Sequence, residues 1–412
     1  MSLIRNSAYN LAGFAIPTII AVPALGILAR QIGIENFGLF TLAFALIGYA
    51  SIFDAGISRA VIREISLFRD DVSEQQRIIS TASVVVLFLG VLATLLFIVF
   101  INKIVSALNI SPDHIDDARM SFKLIAIVIP IYLINQVWLG YLEGLEKFAN
   151  INIQRIITST TLALLPTLLC YIQSSLMFAV IGLIIGRLVS LVLTAVICRS
   201  MIATSLKCYS SVTLRRLLSF GGWLTISNII SPIMVYFDRF IISHIMGASK
   251  IAYYTAPAEG VARLINIPYA LARALFPKLS YCKDAAQRRS LESQSYLLIS
   301  IVCLPIVIVG VVFSSFIMTK WMGAAYGFEA ADVLKILLIG FYFNALAQIP
   351  YSLLQSMGKS RATAFIHMAE IVPYIVLLYV LTDRYGITGT AIAWSIRTFF
   401  DLILLFILSR KQ

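Results

Sequence analysis

Twelve apolar runs of about 20 residues follow one another along the chain, each long enough to cross a hydrocarbon core about 30 Å thick. They lie near 7–29, 38–60, 79–101, 119–142, 151–173, 176–198, 218–245, 251–275, 294–318, 331–357, 362–382 and 388–409. Runs of this length specify transmembrane helices, because a segment in lipid must satisfy its own backbone hydrogen bonds. Composition agrees: of 412 residues, 60% are hydrophobic and 13% charged, where a soluble domain carries about a quarter charged residues. The expected fold is an all-α integral membrane protein with twelve spans.

Basic residues in short loops are retained on the cytoplasmic side. With the N-terminus inside, the inner segments hold seventeen Lys and Arg and the outer segments seven, which predicts that both termini are cytoplasmic. The formal charge of +12 expresses this bias and is no sign of a nucleic-acid surface. The first run is preceded by one basic residue, interrupted by Pro17 and Pro23 and followed at once by a second run, so it reads as a retained span rather than a cleaved signal. Cys170, Cys198, Cys208, Cys282 and Cys303 are odd in number and lack CxxC spacing; they read as small apolar residues, with no disulfide and no metal.

Three weak matches share an offset. Leu142-Glu143-Gly144-Leu145-Glu146-Lys147 corresponds to Leu354-Gln355-Ser356-Met357-Gly358-Lys359, Gly33 to Gly247, and Arg187 to Arg397, at separations of 212, 214 and 210 residues. The expected organisation is an N-terminal six-helix bundle over 1–200, a basic cytoplasmic linker over 201–217 and a C-terminal six-helix bundle over 218–412. Each half starts inside and has an even number of spans, so the halves are parallel repeats.

Polar residues fall on narrow helical faces. Residues advance by about 100° along a helix, so taking Glu259 as zero places Arg263 near +40°, Asn266 near −20° and Arg273 near −40°. Span ten aligns Asn344, Gln348, Tyr351 and Gln355; span eleven aligns Thr363, His367, Glu370 and Tyr374; span twelve aligns Thr390, Trp394, Arg397 and Asp401. Span six aligns Arg187, Ser190 and Thr194, and span seven Ser227, Ser231 and Asp238. An ionisable group facing lipid costs at least about 2.5–3.5 kcal/mol, so such stripes turn inward and imply a shared polar interior.

Some of these charges have simpler explanations. Glu259 with Arg263, and Arg397 with Asp401, have the four-residue spacing of an intrahelical ion pair. Arg59, Arg155 and Arg273 lie near cytoplasmic span ends, where they can snorkel. Arg187 has no acidic residue three or four positions away and must find its partner on another helix, in water or in a ligand. His367 and Glu370 are placed for proton transfer or for simple charge pairing, as are Glu259 and Asp401. Histidines at 114, 244 and 367 make no ligand cluster. Ten of the twelve prolines lie inside spans, where they can act as hinges.

Gly358-Lys359-Ser360 lacks the upstream glycine of a P-loop, and no outer segment has room for a catalytic domain. An ATP-driven pump and a loop-based transferase are disfavoured on these grounds, and no cofactor is implied.

Arg30-Gln31-Ile32-Gly33-Ile34-Glu35-Asn36-Phe37-Gly38-Leu39-Phe40, followed by Phe53-Asp54-Ala55-Gly56-Ile57-Ser58-Arg59, resembles the opening two spans of the Wzx-type polysaccharide flippases. The stretch ending Phe276-Pro277-Lys278-Leu279-Ser280 is similar to their eighth span, and the likeness covers essentially the whole chain. The resemblance implies a V-shaped pair of six-helix bundles, like the multidrug exporters of the same superfamily, in the bacterial inner membrane. It implies a substrate, an undecaprenyl-diphosphate-linked oligosaccharide such as an O-antigen repeat unit, moved from the inner to the outer leaflet by alternating access. Membrane lipid and other polysaccharide assembly proteins are the implied partners.

The residues fit that chemistry, since guanidinium groups donate in a fork matched to phosphate oxygens. Arg187, Arg263 and Arg397 are the expected diphosphate contacts, with Asn344, Gln348 and Trp394 along the glycan path. Two rival readings are a multidrug exporter of the same fold, which would favour unpaired acids in its cavity, and a non-transporting membrane scaffold.

Overall fold

The computed structural model describes residues 2–205, 208–269, 271–272, 285–357 and 359–410, with backbone alone at 2–16, 220–233, 285–286, 288, 360–361 and 364. Cys282, Arg273 and the basic loop after the eighth span lie outside the described residues, as do the side chains of Ser227 and Ser231. Among the described residues every regular element is helical, and eight helices are long and apolar enough to cross a membrane. Within the described residues each of the twelve runs is largely helical, so the all-α membrane fold read from the sequence is the fold observed. The chain divides into two compact units, Met1–Phe240 and Ile241–Gln412.

The first unit begins with α1 (Ser2–Ile32), α2 (Ile34–Ala50), α3 (Ile57–Leu67), α4 (Val72–Ala107) and α5 (Ile115–Ala126). It continues with α6 (Val128–Gly144), α7 (Phe148–Cys170), α8 (Leu176–Ile197), the short α9 (Arg199–Ser205) and α10 (Ser211–Met246), which reaches the unit boundary. Lipid offers no hydrophobic gain for burying one apolar helix against another, so close packing of small residues does the work. Gly140 and Gly144 on α6 face α3: a Cβ at Gly144 would lie 2.9 Å from the Ile62 carbonyl oxygen. Gly182 and Gly186 on α8 face α7, where a Cβ at Gly182 would lie 2.5 Å from Pro166 Cα. The second pair fixes the depth and rotation of Arg187, the next residue along α8. Elsewhere α4 turns Phe88, Leu95 and Val99 outward, as lipid contact requires.

The predicted inner ends are tied by charge. Glu64, buried on α3, accepts from Arg63 at 2.9 Å and forms an ion pair with Arg216, whose Nε lies 2.6 Å away. Arg216 also bridges Glu74, beside which Thr213 and Arg77 lie. The backbone N–H of Ser210 donates to Thr81 at 3.0 Å. The segment around 210–216 is thereby fastened to the start of α4.

The second unit contains α11 (Ala248–Leu264), α12 (Ala285–Val312), α13 (Ser314–Met322), α14 (Glu329–Ser356) and α15 (Ser360–Arg410). Gly386, at φ 62° and ψ −144°, breaks α15 into two arms that match spans eleven and twelve. Two of the three sequence matches have matching local geometry. Gly33 (φ 79°) and Gly247 (φ 90°) both cap a 17-residue helix from a left-handed backbone that favours glycine. The ends of α6 and α14 close alike, with Lys147 N–H donating to Leu142 O at 2.9 Å and Lys359 N–H to Leu354 O at 3.0 Å.

Candidate functional site

In the first unit α2, α6, α7, α8 and α10 line an open polar cavity of about 310 Å³. Its wall follows helical spacing: Tyr132, Asn135 and Gln136 from α6, Gln154, Arg155 and Thr158 from α7, Arg187 and Ser190 from α8. Amides and hydroxyls join the three helices. Asn135 Nδ2 donates to Ser190 Oγ at 3.1 Å, and Gln154 Nε2 donates to the same oxygen at 2.9 Å and to Thr194 Oγ1 at 3.2 Å. Gln136 Nε2 donates to the Tyr132 hydroxyl at 2.9 Å. Asn135 Oδ1 and Thr158 Oγ1 are buried and make no hydrogen bond.

Arg187 is the electrostatic centre of this cavity. Its guanidinium lies 5.1 Å from the Tyr132 ring centroid, a cation–π contact, and its buried Nε finds no acceptor. Among the described residues it forms no ion pair, and no carboxylate lines the cavity. Tyr236 from α10 completes the wall; it fits because Gly48 on α2 has no side chain in the path of its ring. Just beyond Tyr236, buried Arg239 stacks on it at 5.3 Å and donates to Thr41 O at 3.2 Å. Neither Arg239 nor the α6 and α7 faces stood out in the sequence. Arg155, expected to snorkel at a span end, lines the same cavity as Arg187.

The second unit holds the other expected site residues. On α11, Arg263 forms no ion pair among the described residues, so the spacing with Glu259 does not produce an intrahelical bridge; Asn266 Nδ2 instead donates to the Arg263 carbonyl at 3.2 Å. On α14, Gln348 is buried and its Nε2 reaches Asn344 O at 3.5 Å, while Asn344 Oδ1 is buried without a donor. Trp394 and Ser395 pack on Gly340, where a Cβ would lie 2.6 Å from Trp394.

The pairing of Arg397 and Asp401 differs from the intrahelical bridge that their spacing permits. Arg397 Nε approaches Glu370 Oε2 at 3.7 Å and Asp401 Oδ1 approaches His367 Nε2 at 3.3 Å, both across the two arms of α15. His367 in turn stacks on Tyr351 at 6.1 Å with 11° between the rings. The structure thus joins His367, Glu370, Arg397 and Asp401 into one cluster, and places Arg187 in the other unit, in a cavity of its own. Among the described residues no group of His, Cys, Asp and Glu could hold a metal ion.

Solved structures of the same fold include the lipid II flippase MurJ in an inward closed conformation, at a TM-score of 0.82 and 16% identity, covering 98% of this chain and 87% of that one. An inward-facing multidrug resistance MATE family transporter of the MOP superfamily matches at a TM-score of 0.79 and 15% identity, covering 97% of each chain. In sequence the chain is 47% identical over 405 residues to the Shigella flexneri protein named "Putative O-antigen transporter", covering 98% of this chain and 97% of that protein. Residues 3–283 match the model of the polysaccharide biosynthesis protein family. The chain is a multi-pass membrane protein that belongs to this family.

Proposed function

We propose that the chain is a flippase for a polyprenyl-diphosphate-linked oligosaccharide, an O-antigen repeat unit or a related glycan. It carries the substrate from the cytoplasmic to the periplasmic leaflet of the bacterial inner membrane, with both termini cytoplasmic. The observation that carries this reading is Arg187, a guanidinium with unused donor capacity in a polar cavity free of carboxylates. A cation without a counterion at membrane depth is costly, and an anionic headgroup offsets that cost when it binds. The diphosphate is such an anion, and the guanidinium fork matches its oxygens.

Amides and hydroxyls beside Arg187, from Gln136, Asn135 and Thr158, suit the first sugar. Arg263, unpaired on α11, is the proposed second phosphate contact, and Asn344, Gln348 and Trp394 continue the glycan path. Arg397, held by Glu370, enters the phosphate path only when that pair opens. Alternating access carries the headgroup through water while the polyprenyl tail stays in lipid.

The 47% identity to a protein named for O-antigen transport supports the substrate class. A cavity whose charge is positive opposes the cationic drugs of a multidrug exporter. The test is reconstitution: purified protein in liposomes loaded with a fluorescent polyprenyl-diphosphate oligosaccharide, read by access of an impermeant quencher. Protein-dependent loss of protection is expected. Protection equal to protein-free liposomes, together with drug resistance in expressing cells, would overturn the assignment.

A further inference from the structure

Four ionisable side chains face one another across the two arms of α15. His367 and Glu370 stand on the first arm, Arg397 and Asp401 on the second, at the 3.3 Å and 3.7 Å approaches described above. Asp401, Arg397 and His367 are the ionisable neighbours of Glu370. Glu370 is only 8% exposed, and neither of its carboxylate oxygens accepts a hydrogen bond. Asp401 Oδ1 and Arg397 Nε are buried in the same condition.

The charge count decides what this cluster binds. Two carboxylates face one guanidinium, so with a neutral imidazole the group holds one uncompensated negative charge between apolar helices. At membrane depth such a charge is strongly disfavoured. A single proton cancels it.

Among the described residues the surrounding elements supply no other counterion. From α14 comes Tyr351, stacked on His367; the charged residues of that helix, Glu329, Asp332 and Lys335, lie in its first turns, where Glu329 pairs with Lys250 and Asp332 with Lys335. Glu259 and Arg263 of α11 are not among the charges acting on Glu370. Glu292 of α12 pairs with Arg410 at the far end of α15. The phenols nearby are Tyr374, under the Arg397 guanidinium at 5.3 Å, and Tyr269, beside Tyr351. A metal ion is the wrong occupant, because the guanidinium repels it and no metal-ligating group is found among the described residues.

We propose that His367, Glu370, Arg397 and Asp401 form a proton-binding site that loads and releases one proton during transport. With the proton on His367 Nε2, the imidazolium pairs with Asp401 and Arg397 pairs with Glu370, giving two complete ion pairs across the hairpin. Loss of the proton leaves both carboxylates competing for Arg397 and loosens one arm from the other. Coupling to transport rests on the flippase reading; proton binding itself does not.

The test counts protons taken up by purified full-length protein in liposomes, with no substrate present, between about pH 8 and pH 5. Wild type is expected to take up one proton more than Glu370→Gln and one more than Asp401→Asn, since either change balances the charge. Glu370→Gln combined with Arg397→Gln restores the imbalance and is expected to recover the wild-type count. This double variant keeps the test decisive if one single variant fails to fold. Uptake by both single variants equal to wild type, or a double variant that behaves like the singles, would overturn the site. Loss of flipping activity in Arg187 variants bears on the flippase reading and leaves this count unchanged.

Discussion

Replacing Arg187 with glutamine is expected to abolish surface polysaccharide in cells that depend on this chain, with the protein still present in the membrane at its usual abundance. The side chain helps hold no helix in place through an ion pair; its ring contact with Tyr132 is the main packing that is lost. Glutamine preserves much of the volume and some hydrogen bonding, so folding is spared. What disappears is the positive charge proposed to face the headgroup. A hydrogen bond to a charged group contributes about 1.5–3 kcal/mol, and each 1.4 kcal/mol is about a tenfold change in affinity. Affinity for a polyprenyl diphosphate should therefore fall by roughly 10- to 150-fold. Arg187→Lys keeps the charge but loses the planar fork, so it should fall between the two. Binding of a fluorescent polyprenyl diphosphate to purified variants measures the order directly. Equal affinity across wild type, Arg187→Lys and Arg187→Gln would remove Arg187 from the headgroup site.

The second large effect is on folding. Gly182→Val is expected to lower the thermal midpoint steeply and to reduce the amount of intact protein. The added Cβ would meet the Pro166 Cα and N at 2.5 Å. These are backbone atoms, so α7 and α8 must separate rather than repack a side chain. Overpacking costs about 1–3 kcal/mol where side chains can yield, and the upper end applies here. The same separation moves Arg187 and Ser190 away from Gln154, so residual folded protein should also bind the headgroup less well. Gly182→Ala introduces the same Cβ without branches and should show the same direction at smaller size. A thermal midpoint for Gly182→Val within experimental error of wild type would show that the α7–α8 approach is not as close as described.

The spans were legible because lipid demands one simple pattern, a long apolar run, and the chain repeats it without interruption. The glycines at 33 and 247 were legible as a pair through their shared offset, and both adopt left-handed caps at the start of a 17-residue helix. Arg187 could be singled out by elimination, having no acid within helical reach. The polar faces of α6 and α7 were harder to see. Asn135, Gln154 and Thr158 are neutral, and only their meeting with Ser190 gives them a role.

Pairing across helices lay further out of reach. A helical projection places residues of one helix around its own axis but does not say which neighbour each face meets. Arg397 and Asp401 therefore looked like partners, four residues apart, when each had a closer partner on the facing arm. The Gly182 and Gly186 pair was present as a GxxxG spacing, a pattern that predicts close helix approach in membranes. Its partner, Leu162 and Pro166, could only come from the fold.

Headgroup binding at Arg187 requires a hydrated cavity that admits an anion. Single cysteines at Gln136, Ser159 and Arg187, introduced after replacement of the native cysteines, test this with a water-soluble maleimide. Labelling at all three positions, slowed by added polyprenyl diphosphate at 136 and 159, is the predicted result. Cysteines at these positions that stay unreactive while a loop cysteine labels fully would contradict it.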